Sequence, residues 1–153
     1  MYILKVDRNE YTEDGKKVEV WGYSLSIGGK VLKSEIIKAR LKPQDNRLMC
    51  YLRCYKWAFE KVSGYFKVND MIDDVLSIYF TNSVVEAWLV GGKVHKDYRI
   101  VFDEIMGVLD DIPMTLRFNK VERNWAFRRT LVAENIQRER YSSVTSFLDT
   151  VEE

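Results

Sequence analysis

The sequence predicts a single α/β domain on a mixed five-stranded sheet, with three antiparallel strands, then parallel crossovers, and flanking helices. Three observations predict this class. The chain of 153 residues is long enough for one domain with a sizeable core. Its composition, 46% hydrophobic and 31% charged, is typical of globular proteins. Strand and turn patterns fill its beginning, and helical and strand patterns alternate afterwards.

The beginning of the chain is typical of an antiparallel meander. Alternating, β-branched and aromatic side chains indicate strands, and glycines between them indicate tight turns. The predicted segments are a strand at 2–7, a turn at 12–17 around Gly15, a strand at 18–27, a hairpin turn at Gly28-Gly29 and a strand at 31–41.

After Pro43 the chain alternates between helices and strands. Apolar side chains spaced by three and four residues, beginning at Leu48, predict an amphipathic helix that Asp45 or Asn46 can cap. The further segments are the end of that helix near Gly64, a helical turn or loop at 69–74, a strand at 76–81, helices at 83–90 and 97–110, a strand at 114–121, a long helix from Asn124, and a final piece or appendage at 141–153.

Composition excludes several classes of function. The 24 basic and 23 acidic residues give a net charge of +1, so only a local patch could favour nucleic acid. Cys50, Cys54 and His95 are the only cysteines and the only histidine, which argues against a zinc site. Reduced thiols and the absence of an apolar signal or membrane-length run predict a cytoplasmic location.

Four short motifs occur in an order that resembles the ribonuclease H family over roughly residues 2–135. Each motif is weak alone, and their shared order strengthens the resemblance. The motifs are Asp7 at the end of the first predicted strand, Asn46-Arg47-Leu48-Met49 at the start of the first helix, Thr81-Asn82-Ser83 after the fourth strand, and Val121-Glu122-Arg123-Asn124 before the last helix.

The resemblance implies a ribonuclease H-like fold with a degenerate active site. The family cleaves phosphodiesters with two divalent metals that carboxylates hold. Of the four family positions, only Asp7 keeps its acid; Met49, Asn82 and Arg128 stand at the others. A cation at the last position opposes a bound dication. We therefore expect no catalysis and no metal cofactor, and we expect Arg128 to pair with Asp7.

An alternative is an active, Mg²⁺-dependent nuclease with a displaced carboxylate set. Other acids could rebuild the site, for example Asp45 and Asp74 together with Asp7. Most such acids in a chain of this kind are solvated surface charges.

Basic and aromatic residues occur together in the first long helix, and they interleave again from Arg117 to Arg129. This mixture suits phosphate contacts and base stacking; the alternative is a surface of basic side chains over a buried aromatic face. Lys38, Arg40 and Lys42 add positive charge before the first helix. The candidate contact residues are Arg47, Tyr51, Arg53, Trp57, Lys120, Arg123, Trp125 and Arg129.

The sequence therefore predicts a non-catalytic ribonuclease H-like accessory protein that acts by binding. Its expected partner is another protein or the backbone of a nucleic acid, either an RNA–DNA hybrid or a duplex, recognised by shape. Tyr51 and Trp57 fall outside the apolar stripe of their helix, so we expect them to be exposed or to meet a partner.

Overall fold

A computed structural model describes residues 1–43 and 45–120 of the chain. The predicted helix after Asn124 and the piece at 141–153 lie outside the described residues. The elements are β1 (Tyr2–Glu13), β2 (Lys16–Ile27), β3 (Lys30–Ala39), α1 (Arg47–Val68), β4 (Val75–Phe80), α2 (Ser83–Leu89), a 3-10 turn (Lys96–Tyr98), α3 (Arg99–Asp110) and β5 (Thr115–Lys120).

The five strands form one mixed sheet in the order β3-β2-β1-β4-β5. Strands β1, β2 and β3 are antiparallel neighbours, because hairpin turns connect them. Strand β4 lies parallel to β1, and β5 lies parallel to β4, because α1 and then α2 with α3 form the crossovers. The predicted fold class is confirmed.

Strand β1 is longer than its alternating pattern predicted. It continues past Asp7 to Glu13, because every residue from Tyr2 onwards pairs with β2. The turn that follows consists of Asp14 and Gly15, both with positive φ (51° and 74°), as a hairpin turn of two residues requires. Asp7 therefore lies in the middle of a strand, opposite Gly22, and not at a strand end as expected.

Helix α1 begins where the capping prediction put it and ends one turn later. The side chain of Asn46 accepts a hydrogen bond from the backbone N–H of Met49 at 2.9 Å, which makes Asn46 the N-cap. The helix passes the exposed Gly64 and reaches Val68, because the buried Phe66 continues the apolar stripe.

The core lies between the sheet and α1. Buried side chains of β1, β2 and β4 meet the apolar stripe of α1, and α3 closes one side. The largest members are Tyr23, Tyr55, Phe59, Phe66, Leu4, Leu25, Leu52, Leu76, Ile78 and Ile105.

Helices α1 and α3 run side by side in the same direction. Three contacts in sequence order show this: Asn46 to Tyr98, Lys56 to Glu104, and Lys67 to Asp111. Both helices therefore begin at the same end of the molecule. β1 passes Asp7 beside the first half of α1, where the thiol of Cys54 donates to the Asp7 carbonyl at 3.4 Å.

No helix within the described residues is both long and apolar enough to cross a membrane.

Gly92, in the loop after α2, and Gly64, inside α1, provide a matched test of the described backbone. An added Cβ at Gly92 would lie 2.7 Å from the Ala87 carbonyl oxygen, whereas one at Gly64 meets nothing within 4 Å. We expect Gly92→Ala to lower the free energy of unfolding by about 1–3 kcal/mol. Gly64→Ala, inside α1, should raise it by about 0.5–1 kcal/mol. Urea denaturation measures both, and equal effects of the two variants would contradict the described loop.

Candidate active site and basic surface

Asp7 is the acid that the sequence resemblance singled out, and its side chain is buried with 0% exposure. Its Oδ1 accepts a hydrogen bond from the Thr81 hydroxyl at 2.9 Å and another from the Arg8 backbone N–H at 2.8 Å. The β1–β4 pairing ends at Lys5 and Tyr79, so the Asp7–Thr81 bond extends the connection between these strands. The carboxylate thus holds two strands together.

Helix α1 covers the strand beside this carboxylate. Cys54 and Tyr55 are both fully buried there. Burial, and then the charge of Asp7, raise the pKa of the Cys54 thiol and of the Tyr55 hydroxyl. Both groups stay protonated at neutral pH, and neither can act as a base.

Asn82 stands where the family has its second aspartate. Its Oδ1 accepts hydrogen bonds from the backbone N–H groups of Val84 and Val85, both at 3.0 Å. Asn82 is therefore the N-cap of α2, and this single oxygen is already used by two donors.

Met49 stands where the family has its glutamate. It lies in the first turn of α1, and its half-buried side chain packs against the core. A thioether is a soft, neutral group, which is a poor ligand for Mg²⁺.

The described side chains do not fit a magnesium site. Within residues 1–43 and 45–120, no three His, Cys, Asp or Glu side chains are grouped so that they could hold a metal ion. Of the three family positions within this range, only Asp7 carries an acid, and Met49 and Asn82 serve the core and a helix cap.

The displaced carboxylate set does not assemble either. The Asp45 carboxylate contacts Arg53 Nε at 3.3 Å and accepts from the Lys42 N–H at 3.0 Å. Asp74 precedes β4, and its carboxylate lies 3.6 Å from the amino terminus, at the end of the sheet away from Asp7. The β1–β4 register separates Asp74 from Asp7 by roughly 20 Å along the strands, too far to share an ion.

Next to Asp7 the structure contains a buried ion pair that sequence reasoning missed. Arg8 and Glu19 are each 1% exposed, and they make two contacts: Nε to Oε1, and Nη2 to Oε2 at 2.6 Å. Trp21 Nε1 donates to Glu19 at 3.2 Å, and the Tyr51 ring lies 5.2 Å from the Arg8 guanidinium. Burial opposes the charge of Arg8, but the hydrogen bonds to Glu19 outweigh it and raise the pKa of Arg8.

Glu10 connects this pair to the surface. Its carboxylate binds Arg8 Nη2 at 2.9 Å and Lys17 Nζ at 2.8 Å, and it lies 3.8 Å from Arg47 Nη2. Burial by itself would raise the pKa of Glu10, but the hydrogen bonds from Lys17 and Arg8 outweigh it, so the pKa of Glu10 is lowered. Glu10 therefore stays charged, and it contacts the first residue of α1.

At the common end of α1 and α3, exposed cations from two distant segments come together. A hydrogen bond from Asn46 Nδ2 to the Tyr98 hydroxyl, 2.7 Å long, joins the starts of the two helices. Neither α-helix has an acid in its first turn, and Asp97 lies in the 3-10 turn that leads directly into α3. We call this surface the α1–α3 basic end, and its cations are Lys42, Arg47, Lys93, Lys96 and Arg99.

No family model and no curated protein matches the chain. Solved structures that align with it include several ribonucleases H. LC11-RNase H1 in complex with an RNA/DNA hybrid aligns with TM-score 0.63 and 15% identity, covering 80% of this chain and 86% of that one. RNase H1 from the archaeon Halobacterium salinarum NRC-1 aligns with TM-score 0.61 and 12% identity, over 86% and 98%. The N-terminal RNase H domain of Rv2228c from Mycobacterium tuberculosis aligns with TM-score 0.62 and 10% identity, over 94% and 99%.

The chain has the ribonuclease H-like fold. The fold prediction from the scattered motifs is therefore confirmed. At identities of 10–15%, these alignments show that the folds are alike, and they do not show that the activities are alike.

Within this fold, the aromatic candidates of α1 lie differently from what their spacing suggested. The expectation that Tyr51 is exposed is wrong: it is 6% exposed, because its ring packs beside Arg8 and Tyr55. Trp57 is half-buried, with its ring 5.2 Å from Tyr23 and 6.2 Å from Trp21. In this arrangement Tyr51 has no open ring face for a partner.

The basic candidates divide into two groups. Arg47 is 74% exposed at the start of α1, whereas the half-buried Arg53 holds Asp45 and so fixes the segment before the helix. Lys93, Lys96 and Arg99 were not among the candidates, although their spacing of three could have indicated a cationic edge. The side chain of Lys120 and the residues Arg123, Trp125, Arg128 and Arg129, with the expected Asp7–Arg128 pair, lie outside the described residues.

The buried ion pair gives a stability prediction. Glu19→Ala leaves the Arg8 charge in a buried position without its main partner, so we expect a loss of about 3–5 kcal/mol in the free energy of unfolding. The double variant Arg8→Met/Glu19→Leu should recover most of the loss. Lys17→Ala, which removes an exposed pair, should change stability by less than about 1 kcal/mol. Urea denaturation of the double variant and of the single variants Arg8→Met and Glu19→Leu tests this, and additive losses would argue against the pairing.

The two thiols give a pH prediction. Burial and the charge of Glu19 raise the pKa of Cys50 from 9.0 to about 11. The folded state keeps this proton where the unfolded chain releases it, so this stabilisation holds below about pH 9 and is lost as pH rises toward 11. The Cys50→Ala variant should therefore lose less free energy of unfolding than the wild type as the pH rises from about 9 to 11. Native thiols should also react slowly with iodoacetamide at pH 8, and rapid alkylation of Cys50 would contradict its burial.

Proposed function

We propose that this chain is a non-catalytic protein of ribonuclease H-like fold that binds the backbone of a double-helical nucleic acid at the α1–α3 basic end. The observation that carries the proposal is the Asn46–Tyr98 hydrogen bond, which joins two cationic segments about fifty residues apart in the chain. Such a surface attracts phosphates whatever the base sequence.

The absence of catalysis is the second part of the proposal. It is supported by the side chains at three of the positions that carry acids in the ribonuclease H family. Asp7 is buried and hydrogen-bonded to Thr81, Asn82 caps α2, and Met49 packs on the core. A two-metal mechanism needs several charged oxygen ligands at one point, and these three residues supply one carboxylate.

An RNA–DNA hybrid is the double helix that we propose as the partner. The support is that LC11-RNase H1, which has the same fold, has been solved in complex with an RNA/DNA hybrid. Recognition would depend on the shape and phosphate spacing of the helix, since the basic end offers cations and few groups that could read bases. A protein partner and the cytoplasmic location stay predictions.

Binding is tested by fluorescence anisotropy with a labelled blunt hybrid at several salt concentrations. We expect salt-dependent binding, and we expect Arg47→Ala and Lys96→Ala each to weaken it about three- to tenfold and to reduce the salt slope by about one. Lys61→Ala is the matched control, because this exposed lysine lies in the distant half of α1. No binding by the wild type would overturn the proposal and point to a protein partner.

Catalysis is tested with the same hybrid in the presence of Mg²⁺ or Mn²⁺. We expect no cleavage, and we expect Asp7→Asn to leave hybrid binding unchanged while it lowers thermal stability, because the Thr81 contact loses its charged acceptor. Metal-dependent cleavage that Asp7→Asn abolishes would instead establish the active nuclease.

A further inference from the structure

A groove on the α3 side of the α1–α3 basic end shares three of its cations and adds an apolar residue and an exposed aromatic ring. Its volume is about 750 Å³, which falls within the range of small-ligand sites. The buried Val94 provides an apolar wall, and exposed cations surround it. The lining residues are Lys93, Val94, His95, Lys96 and Arg99.

Two glycines fix the segment that forms this groove. Gly91 has φ +109°, which disfavours any side chain, and the Gly92 N–H donates to the Ala87 carbonyl at 2.9 Å. Gly92 packs so closely on the end of α2 that a Cβ would clash there. The loop therefore leaves α2 along a defined path and holds the groove in shape.

The His95 ring is held in place although 58% of it is exposed. Its Nδ1 accepts a hydrogen bond from the Asp97 backbone N–H at 3.2 Å, and its ring lies 6.0 Å from the Tyr98 ring. The Tyr98 ring in turn packs 5.7 Å from Trp88. An exposed ring that is already oriented loses little conformational entropy when another ring stacks on it.

Acidic side chains also lie nearby, and they limit which cations are available. Arg99 pairs with Asp103 at 3.3 Å, and an Asp97 oxygen lies 3.5 Å from His95. Lys93 and Lys96 are both exposed on the groove. The groove thus offers an oriented ring, an apolar wall and two lysines.

We infer that this groove holds one unpaired nucleotide of a strand that continues beyond the bound double helix. A base would stack on His95 against Val94, and Lys93 and Lys96 would bind its phosphate. Inside a duplex each base is already stacked on its neighbours, so only an unpaired base can present a free ring face. This inference rests on the proposed function, and it specifies the bound species as a duplex with a single-stranded extension.

The test compares the full chain's affinity for a blunt RNA–DNA hybrid with that for the same hybrid carrying a short single-stranded overhang. We expect the overhang to bind about tenfold more tightly. His95→Ala should bring the ratio of the two affinities close to one. His95→Phe, which also loses the cap to Asp97 but keeps a ring, should retain the preference. Lys61→Ala should leave the ratio unchanged.

A 2-aminopurine in the overhang reports the stacking directly, and its fluorescence should fall on binding to the wild type and to His95→Phe but not to His95→Ala. Equal affinity for the two hybrids, or a His95→Phe variant that behaves like His95→Ala, overturns this inference and leaves the proposed function standing. Binding of the overhang alone, with no affinity for the blunt hybrid, supports the groove and overturns the proposed duplex surface.

Discussion

The buried ion pair between Arg8 and Glu19 is the interaction on which the geometry of the site depends. Removing two charges from water is costly, and this cost is offset here by two contacts between the side chains, by the Trp21 donor and by the Tyr51 ring. The pair joins β1 and β2 beneath the start of α1. Through Glu10 it reaches Arg47, the first residue of α1, in the basic end.

The pairing of β1 with β2 accounts for the setting of Asp7. Because β1 continues through Arg8 and pairs with β2 as far as Glu13, Asp7 sits within a strand and is buried by its neighbours. Its carboxylate then acts as an acceptor for Thr81 across the end of the β1–β4 pairing. The Asp7 carboxylate thus contributes to stability through its hydrogen bond with Thr81. A carboxylate that binds a metal must instead present its oxygens to the ion.

Sequence patterns predicted the elements well because local periodicity determines them: alternation gave the strands, and the stripe from Leu48 gave α1. The extension of β1 was missed because it follows from pairing with β2, not from its own pattern. The exposure of Tyr51 was misjudged because a helical stripe does not show that the sheet beneath it carries Arg8. The basic end depends on the Asn46–Tyr98 hydrogen bond. These residues are far apart in sequence, and local sequence patterns do not reveal such contacts.

We propose that this chain with a ribonuclease H-like fold holds no metal ion at Asp7 and binds nucleic acid at its basic end. Paramagnetic line broadening by Mn²⁺ in the amide spectrum of the full chain tests the first half most directly. The structure predicts no selective broadening of Asp7, Thr81 and Asn82 at ion concentrations that suffice for two-metal nucleases. Selective, saturable broadening of these three amides, removed by Asp7→Asn, would contradict it.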